Sequence, residues 1–175
     1  MAFEPLPEAF GALQVSLRQL PDAENRCQLH QVALTDQDGE VPFATRPVSG
    51  KGVSTVAHIV DSAQGSSGPI VRIPAFRVDS MIEKTSAPFP QVTKIDVEGY
   101  EEEVLSGGHS TFSSPNHREL FIEIHFARLT ERAKDNAPAR IVSQLKDWGY
   151  KIQWLDASHL WASRSRDMAG HHPHS

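Results

Sequence analysis

The sequence predicts an α/β domain in which mostly parallel strands are joined by crossover helices. Two observations lead to this prediction. The hydrophobic spacing alternates along the chain between the period of a strand and that of a helix, and one short buried strand, Thr93 to Val97, ends on carboxylates and turns at Gly99 into an acidic helix. The 175 residues are 39% hydrophobic and 22% charged, which is typical of one ordinary globular domain.

The N-terminal elements are predicted from leucine spacing and from turn residues. Apolar residues at helical spacing predict a helix from Pro5 to Leu20, which Pro21 stops. A strand is then predicted from Cys27 to Leu34, and a second extended piece from Glu40 to Thr45. The Asp-Gly pair between them supplies the positive φ of a tight turn, so these pieces form a hairpin-like excursion.

The middle of the chain is rich in glycine, serine and threonine from Arg46 to Gly68. This composition predicts a surface segment, and it is the place where a flap over a substrate is expected. Ile70 to Phe76 follows as a strand, although Pro74 indicates an edge position or a strand end. Val78 to Glu83 is predicted to form a short helix.

The C-terminal half continues the alternation of strands and helices. The glycine pair at 107–108 ends the acidic helix, whose glutamates at 101–103 lie in the first turn, where the helix dipole favours them. The later predicted elements are a strand from Leu120 to Phe126, a helix from Pro138 to Trp148, and extended pieces from Tyr150 to Trp154 and from His159 to Ala162. A disordered tail is predicted over 165–175.

Composition limits the class of partner. The formal net charge is -5, with no run of lysine and arginine, so we expect no nucleic-acid partner, because phosphate binding needs a concentrated basic face. Cys27 is the single cysteine. We expect no membrane span, because no apolar run is long enough for one, and no N-terminal leader. The predicted location is the cytoplasm, and the predicted partner is a small or uncharged substrate.

Acidic side chains at two strand ends are the candidate catalytic residues. Asp96 and Glu98 flank Val97, so they point to the same side of the chain, where they could share a proton or orient a substrate hydroxyl. The alternative is that one of them caps the following helix. Glu123 and His125 fall on one face of their predicted strand, and His125 is a candidate general base that Glu123 could orient. A satisfied structural histidine is the alternative for His125.

The sequence predicts no metal site. The histidines at positions 30, 58, 109, 117, 125 and 159 show no ligand spacing, and there is no cysteine pair. His171, His172 and His174 lie in the tail, for which disorder is the preferred interpretation.

Six segments resemble the FkbM-type family of S-adenosylmethionine-dependent methyltransferases, and they occur in the order that the family shows. They are 2–8 (AFEPLPE), 32–41 (VALTDQDGEV), 77–80 (RVDS), 94–101 (KIDVEGYE), which is the core match, 121–125 (FIEIH) and 145–150 (LKDWGY). The resemblance covers residues 2–164. The resemblance implies a Rossmann-like class I methyltransferase domain over 1–164, a doubly wound sheet that ends in an antiparallel hairpin. It also implies S-adenosyl-L-methionine as cofactor.

The resemblance assigns cofactor roles at two further strand ends. Glu4 is expected to accept the hydroxyls of the cofactor ribose. Pro5, which follows it directly before the first helix, is also expected to contact the cofactor. Ala33 is expected near the adenine, although a plain core role fits it equally well, and Asp96 is expected to face the sulfonium. The resemblance further implies that the first strand of this sheet and its glycine-rich turn are missing. A late start codon or a fragmentary gene record is the favoured explanation, ahead of a natural remnant or a partner chain that supplies the strand.

Three hypotheses about function follow. The first is O-methylation of a small molecule, sugar or lipid-linked glycan. The second is a non-catalytic remnant or interaction module with the same scaffold. The third, an NAD-dependent dehydrogenase, shares the ribose-binding acid but does not require the sequence at 96–99 (DVEG). Ligand binding would separate the three hypotheses. Selective binding of S-adenosylhomocysteine would support the first, binding of neither S-adenosylhomocysteine nor NAD the second, and selective binding of NAD the third.

Overall fold

The computed structural model describes residues 1–48, 54–59, 70–85 and 88–165. The chain divides into two compact units, Met1–Arg77 and Val78–Ser175. The predicted tail lies almost wholly outside the described residues, and so does much of the predicted flap. The assignment of 1–164 to one domain stays a prediction.

The described residues of the first unit form two helices and two sheets. In chain order its elements are β1 (Ala2–Phe3), α1 (Pro7–Arg18), α2 (Ala23–Arg26), β2 (Leu29–His30), β3 (Ala33–Leu34), β4 (Gly39–Val48), β5 (Ser54–Ile59) and β6 (Ile70–Phe76). Strands β1 and β2 form a parallel pair, and the other four strands form a sheet of order β3-β6-β4-β5. The predicted hairpin-like pairing of 27–34 with 40–45 is wrong, because β6 lies between β3 and β4. Strand β4 instead runs antiparallel to both β5 and β6.

The predicted strand from Cys27 to Leu34 is wrong as a single element. Leu29–His30 pairs with β1, whereas Ala33–Leu34 pairs with the end of β6. The segment therefore leaves one sheet and enters another, and this change of partner divides the strand. Local spacing cannot reveal such a division, because both pieces have the apolar pattern of a strand.

Strand β6 has a neighbour on each side, so it is not the edge strand that Pro74 suggested. However, β3 pairs only with Ala75 and Phe76, and Pro74 lies outside that ladder. The proline, which has no N–H to donate, thus stands where the pairing with β3 has stopped. The small core of this unit packs beside it and consists of Leu6, Ala33, Phe43, Ile73 and Ala75.

The second unit is built around one sheet of order β7-β8-β10-β9. Its elements are α3 (Val78–Lys84), β7 (Val92–Ile95), α4 (Glu101–Gly107), α5 (His109–Ser113), β8 (Glu119–Glu123), α6 (Phe126–Glu131), α7 (Ala137–Asp147), β9 (Lys151–Trp154) and β10 (His159–Ser163). Strands β7 and β8 are parallel, and β10 runs antiparallel to both β8 and β9. Leu105, Leu120, Ile141 and Leu145 are completely buried in this unit.

The α/β class is confirmed, and so is the antiparallel hairpin at its C-terminal end, formed by β9 and β10. The expectation of a mostly parallel sheet is wrong for the described residues, because the pairings divide into three parallel and four antiparallel ones. The antiparallel pairings involve β4, which runs in the opposite direction to β3 after the Asp-Gly turn, and β10 of the C-terminal hairpin. No helix in the described part of the chain is long and apolar enough to cross a membrane.

A buried polar network stabilises the second unit around His117, which is completely buried. Its Nδ1 lies 2.7 Å from the Tyr150 hydroxyl and its Nε2 lies 2.9 Å from Thr93 Oγ1. The Tyr150 hydroxyl donates to the carbonyl of Phe112 at 2.8 Å. Burial, together with the nearby Arg164 cation, lowers the pKa of His117 to about 4. The imidazole is therefore neutral in the folded protein at neutral pH.

The low pKa of His117 makes folding stability depend on pH. The pKa of His117 is about 4 in the folded protein, and the ordinary histidine value of 6.5 applies to the unfolded chain. The contribution of neutral His117 to the free energy of unfolding is therefore present above pH 6.5 and is lost as the pH falls towards 4. We expect the free energy of unfolding to fall by about 2 kcal/mol between pH 7 and pH 5 from this group alone. Urea unfolding of the wild type and of His117→Gln at both pH values measures it.

The glutamine variant should show a smaller fall than the wild type, because glutamine does not titrate. His109→Gln is the matched control, since His109 is exposed, and its pH dependence should follow that of the wild type. An equal fall in wild type and His117→Gln would contradict the assignment.

Candidate functional site

Three strands of the second unit bring polar side chains to one edge of the sheet. Strand β7 ends at Ile95, whose register partner on β8 is Ile122, and Glu123 pairs with His159, the first residue of β10. The next residue after β7, Asp96, therefore lies beside Glu123 at the carboxyl ends of two parallel strands. This edge is where α/β sheets usually bind ligands.

Three carboxylates converge on one nitrogen of His125. The Nε2 atom lies 3.6 Å from Asp96 Oδ1, 3.7 Å from Glu98 Oε1 and 3.8 Å from Glu123 Oε1. We call these four residues the carboxylate–histidine cluster. The three distances are longer than hydrogen bonds, and the His125 side chain is 16% exposed.

The other ring nitrogen of His125 is held by Glu101. This glutamate is completely buried, and its Oε1 lies 2.7 Å from His125 Nδ1. An ionised carboxylate only accepts hydrogen bonds, so Nδ1 carries the hydrogen and donates it. The bond leaves Nε2 facing the three carboxylates.

The loop between β7 and α4 has a constrained backbone. Glu98 has a φ of 51° and Gly99 a φ of 91°, both in the left-handed region. A Cβ atom at position 99 would lie 2.7 Å from the Cβ of Arg128, so only glycine fits there. The Gly99 N–H donates to Glu101 Oε1 at 3.0 Å, and its carbonyl accepts from Arg132. The loop that carries Glu98 is thus bonded on both sides.

Basic side chains surround the cluster. Lys94 Nζ lies 2.7 Å from Asp96 Oδ2, and this hydrogen bond raises the pKa of Lys94. Arg128 Nε lies 3.5 Å from Glu98 Oε2. On the third side, His159 Nε2 lies 3.4 Å from Glu123 Oε2. The outer carboxylate oxygens therefore face cations or imidazole, whereas the inner oxygens face His125.

His159 has an acidic partner of its own. Its Nδ1 lies 2.9 Å from Asp156 Oδ2, and this hydrogen bond raises the pKa of His159. Hydrogen bonds from the backbone N–H groups of Ser158 and His159 lower the pKa of Asp156 to about 2. The raised pKa favours the imidazolium form, which is a suitable partner for the outer oxygen of Glu123.

The four residues predicted to be catalytic are brought together, although not by the predicted local structure. His125 is not on a strand, because β8 ends at Glu123 and His125 is the N-cap of α6. The expected orienting residue, Glu123, lies beyond hydrogen-bond distance from Nε2, and Glu101 makes the orienting bond instead. The contacts of Asp96 and Glu98 described above are with side chains rather than with the helix N-terminus.

The residues predicted to bind the cofactor ribose and adenine lie in the first unit. Glu4 Oε1 accepts the N–H of Leu6 at 2.8 Å, so one oxygen of this carboxylate is bonded at the start of α1. Pro5 precedes that helix and is partly buried. Ala33 belongs to the core of the unit, in line with its alternative role. The cofactor roles of Glu4, Pro5, Ala33 and Asp96 stay predictions.

Sequence reasoning missed Glu101 and His159. Glu101 was expected only as one of three acidic residues favoured by the helix dipole. A signal for its burial exists, since Glu101 shares a helix face with Val104 and Leu105 at positions i+3 and i+4, and both are buried. For His159 the sequence offers no such signal, because its position depends on how β10 pairs with β8.

An α/β fold with acidic and histidine side chains at the carboxyl ends of neighbouring strands defines a class of ligand-binding enzymes rather than one activity. Comparison with known families narrows this class. Residues 1–152 match the family described as Methyltransferase FkbM domain. The chain therefore belongs to the FkbM methyltransferase family, as its sequence motifs predicted.

Two relatives illustrate the similarity. Hexuronic acid methyltransferase AglP from Haloferax volcanii is 31% identical over 124 residues, which are 71% of this chain and 46% of that protein. The crystal structure of Methyltransferase FkbM from Methylobacillus flagellatus KT superposes with a TM-score of 0.55 at 18% identity, covering 93% of this chain and 35% of that one. The chain thus spans less than half of the length of either relative, and the second likeness concerns the fold alone.

Proposed function

We propose that this protein transfers the methyl group of S-adenosyl-L-methionine to an oxygen atom of a small molecule, sugar or lipid-linked glycan in the cytoplasm. The observation that carries the proposal is the convergence of Asp96, Glu98 and Glu123 on the oriented Nε2 atom of His125. Family membership supports methyl transfer, and the AglP relative, whose name specifies a hexuronic acid, favours a sugar acceptor.

The chemistry of the cluster fits such a transfer. When bound, the cofactor supplies an activated methyl group on a positively charged sulfur, and four carboxylates lie within one small region: those of Asp96, Glu98, Glu101 and Glu123. Carboxylates stabilise a nearby positive charge, so the donor set is compatible with this cofactor. The cluster also contains the groups that can take the proton of an acceptor hydroxyl.

The protein's own contribution is alignment and proton removal. Methyl transfer to oxygen forms a bond between the acceptor oxygen and the methyl carbon, breaks the bond from that carbon to sulfur, and releases the hydroxyl proton. Glu101 keeps His125 in one tautomer and Arg132 bonds the Gly99 carbonyl, so the proton-accepting groups are positioned in advance. Glu4 is proposed to hold the ribose hydroxyls with its second carboxylate oxygen.

The test is ligand binding followed by transfer of labelled methyl. S-adenosylhomocysteine at 100 times its Kd should stabilise the chain by about 2.7 kcal/mol, and NAD should have no effect. Stabilisation by NAD alone would favour a dehydrogenase, and stabilisation by neither ligand would favour a non-catalytic module.

Labelled cofactor is then incubated with neutral sugars and with hexuronic acids, and the products are treated with mild base. A base-stable label identifies an ether formed on a hydroxyl, whereas a base-labile label identifies an ester formed on a carboxylate.

A further inference from the structure

The carboxylate–histidine cluster has one regularity that methyl transfer does not explain. In each of its four residues, one polar atom contacts a supporting side chain and the other faces the centre of the cluster. The supporting contacts join Asp96 to Lys94, Glu98 to Arg128, Glu123 to His159 and His125 to Glu101. The inner atoms are three carboxylate oxygens and the imidazole Nε2.

This arrangement is that of a metal centre. Histidines that bind metals usually donate their second ring N–H to a carboxylate, which fixes the tautomer and the ring orientation. Glu101 is such a carboxylate, since it is completely buried and lies 2.7 Å from His125 Nδ1. Its other oxygen is buried without a hydrogen-bond partner, so Oε1 makes both contacts of this side chain, with His125 Nδ1 and with the Gly99 N–H.

The spacing of the inner atoms also fits a bound cation. Ligand atoms of Asp96, Glu123 and His125 all lie within 4.8 Å of one another, and Nε2 is 3.6 and 3.8 Å from the two carboxylates. Tetrahedral bonds of 2.0–2.2 Å would place neighbouring ligand atoms roughly 3.3–3.6 Å apart. Small side-chain rotations are enough to close this difference.

We propose that Asp96, Glu123 and His125 Nε2 bind a divalent first-row metal ion, of the Mn²⁺ or Zn²⁺ type. Two carboxylates and one imidazole, without thiolate, suit these ions rather than soft ones. The ion replaces the unfavourable approach of three like charges by attraction to one centre. If the proposed methyl transfer takes place here, Glu98, the cluster carboxylate outside this ligand set, would be available to take the proton of an acceptor hydroxyl, and the ion would supply polarisation of that hydroxyl.

This proposal differs from the sequence-based expectation of no metal site, which stays a prediction. The ligands come from two strand ends and a helix N-cap, at positions 96, 123 and 125. A search for short-range ligand spacing cannot find them, because only the register of β7 and β8 places Asp96 beside Glu123.

The test measures metal binding directly and needs no turnover. His171, His172 and His174 are replaced by alanine in every protein, and any purification tag is removed, so that bound metal reports on the cluster. Calorimetric titration with Mn²⁺, and with Zn²⁺ in a parallel series, should show one ion per chain. The electron paramagnetic resonance signal of free Mn²⁺ should fall by the same amount.

Asp96→Asn is the main variant, because Asp96 is 40% exposed at the side chain and its replacement should not disturb folding. It should weaken Mn²⁺ binding at least about 10-fold, as should His125→Gln, and Glu101→Gln should weaken it about 10–100-fold through loss of ring orientation. Glu119→Gln is the matched control. Glu119 lies on β8, at the opposite end of that strand from Glu123, so this variant should bind Mn²⁺ as the parent does. Absence of binding, or equal binding in the parent and in Asp96→Asn, would overturn the proposal. A failure to bind S-adenosylhomocysteine would contradict the proposed function alone.

Discussion

Replacing His125 by glutamine is expected to lower the kcat of methyl transfer by roughly 10²–10⁴-fold, the usual contribution of a positioned acid, base or metal ligand. Glutamine has no aromatic nitrogen that can accept a proton, and it cannot reproduce the directed bond from Nδ1 to Glu101. The effect is expected for either role of Nε2, as proton acceptor or as metal ligand. Steady-state kinetics with the acceptor identified in the labelling assay measures it, while affinity for S-adenosylhomocysteine should change only a few-fold.

His109→Gln is the control, because His109 begins α5, is exposed and contacts the ring of Trp148 rather than the cluster. Its kcat should equal that of the wild type. The kcat of Glu101→Gln should lie between those of His125→Gln and His109→Gln, since Glu101 positions His125 without facing Nε2. The pH–rate profile of Glu101→Gln should shift even if folding is intact. If His125→Gln turns over at the wild-type rate, the cluster is not the reaction centre.

Replacing Arg164 by methionine is expected to destabilise the protein by about 3 kcal/mol or more. The guanidinium donates to the backbone carbonyls of Phe112, Ser113, Ser114, His117 and Trp148, and its Cζ lies 4.0 Å above the Tyr150 ring. Each hydrogen bond with a charged partner typically contributes about 1.5–3 kcal/mol, and the contributions do not add fully. Methionine keeps much of the volume but removes the charged donor. The carbonyls of Phe112 and Ser114 keep a second donor, the Tyr150 hydroxyl and the His117 N–H respectively.

Urea unfolding at pH 7, followed by circular dichroism, measures the free energy difference. Arg118→Met is the matched control, because the side chain of Arg118 donates to Gln91 at the surface, and it should change stability by less than about 1 kcal/mol. Arg164→Lys should recover only part of the loss, since an ammonium lacks the planar fork that reaches several carbonyls. Equal destabilisation by Arg164→Met and Arg118→Met would show that the carbonyl network contributes little.

Much of the candidate site could be predicted because its signals are local. Asp96 and Glu98 follow the end of a strand and precede a glycine, and both features are visible in the sequence. The strand was predicted to be buried, which is wrong, because Ile95 is the one buried residue of β7. Glu123 and His125 were paired for a reason that does not hold, since the strand ends before His125. They still meet because a helix N-cap directs the histidine back towards the strand end.

The remaining parts depend on long-range pairing. The three glutamates at 101–103 are identical in type, yet Glu101 is buried. By contrast, Glu102 and Glu103 pair with cations from later in the chain, Arg140 of α7 for the first and Lys134, which lies between α6 and α7, for both. The division of the predicted strand at 27–34 between two sheets has the same origin. Periodicity reports which face of an element is apolar, but it does not report which element covers that face.

Gly99 has a consequence for ligand binding. Both polar atoms of its peptide backbone are bonded, the N–H to Glu101 and the carbonyl to Arg132, and Arg132 is itself bonded to Glu103 at 2.6 Å. The loop bearing Glu98 is therefore ordered before any ligand arrives, and the conformational entropy of its ordering is lost during folding rather than during binding. Affinity at this edge of the sheet is consequently set by the chemistry of the side chains and not by the loss of loop freedom.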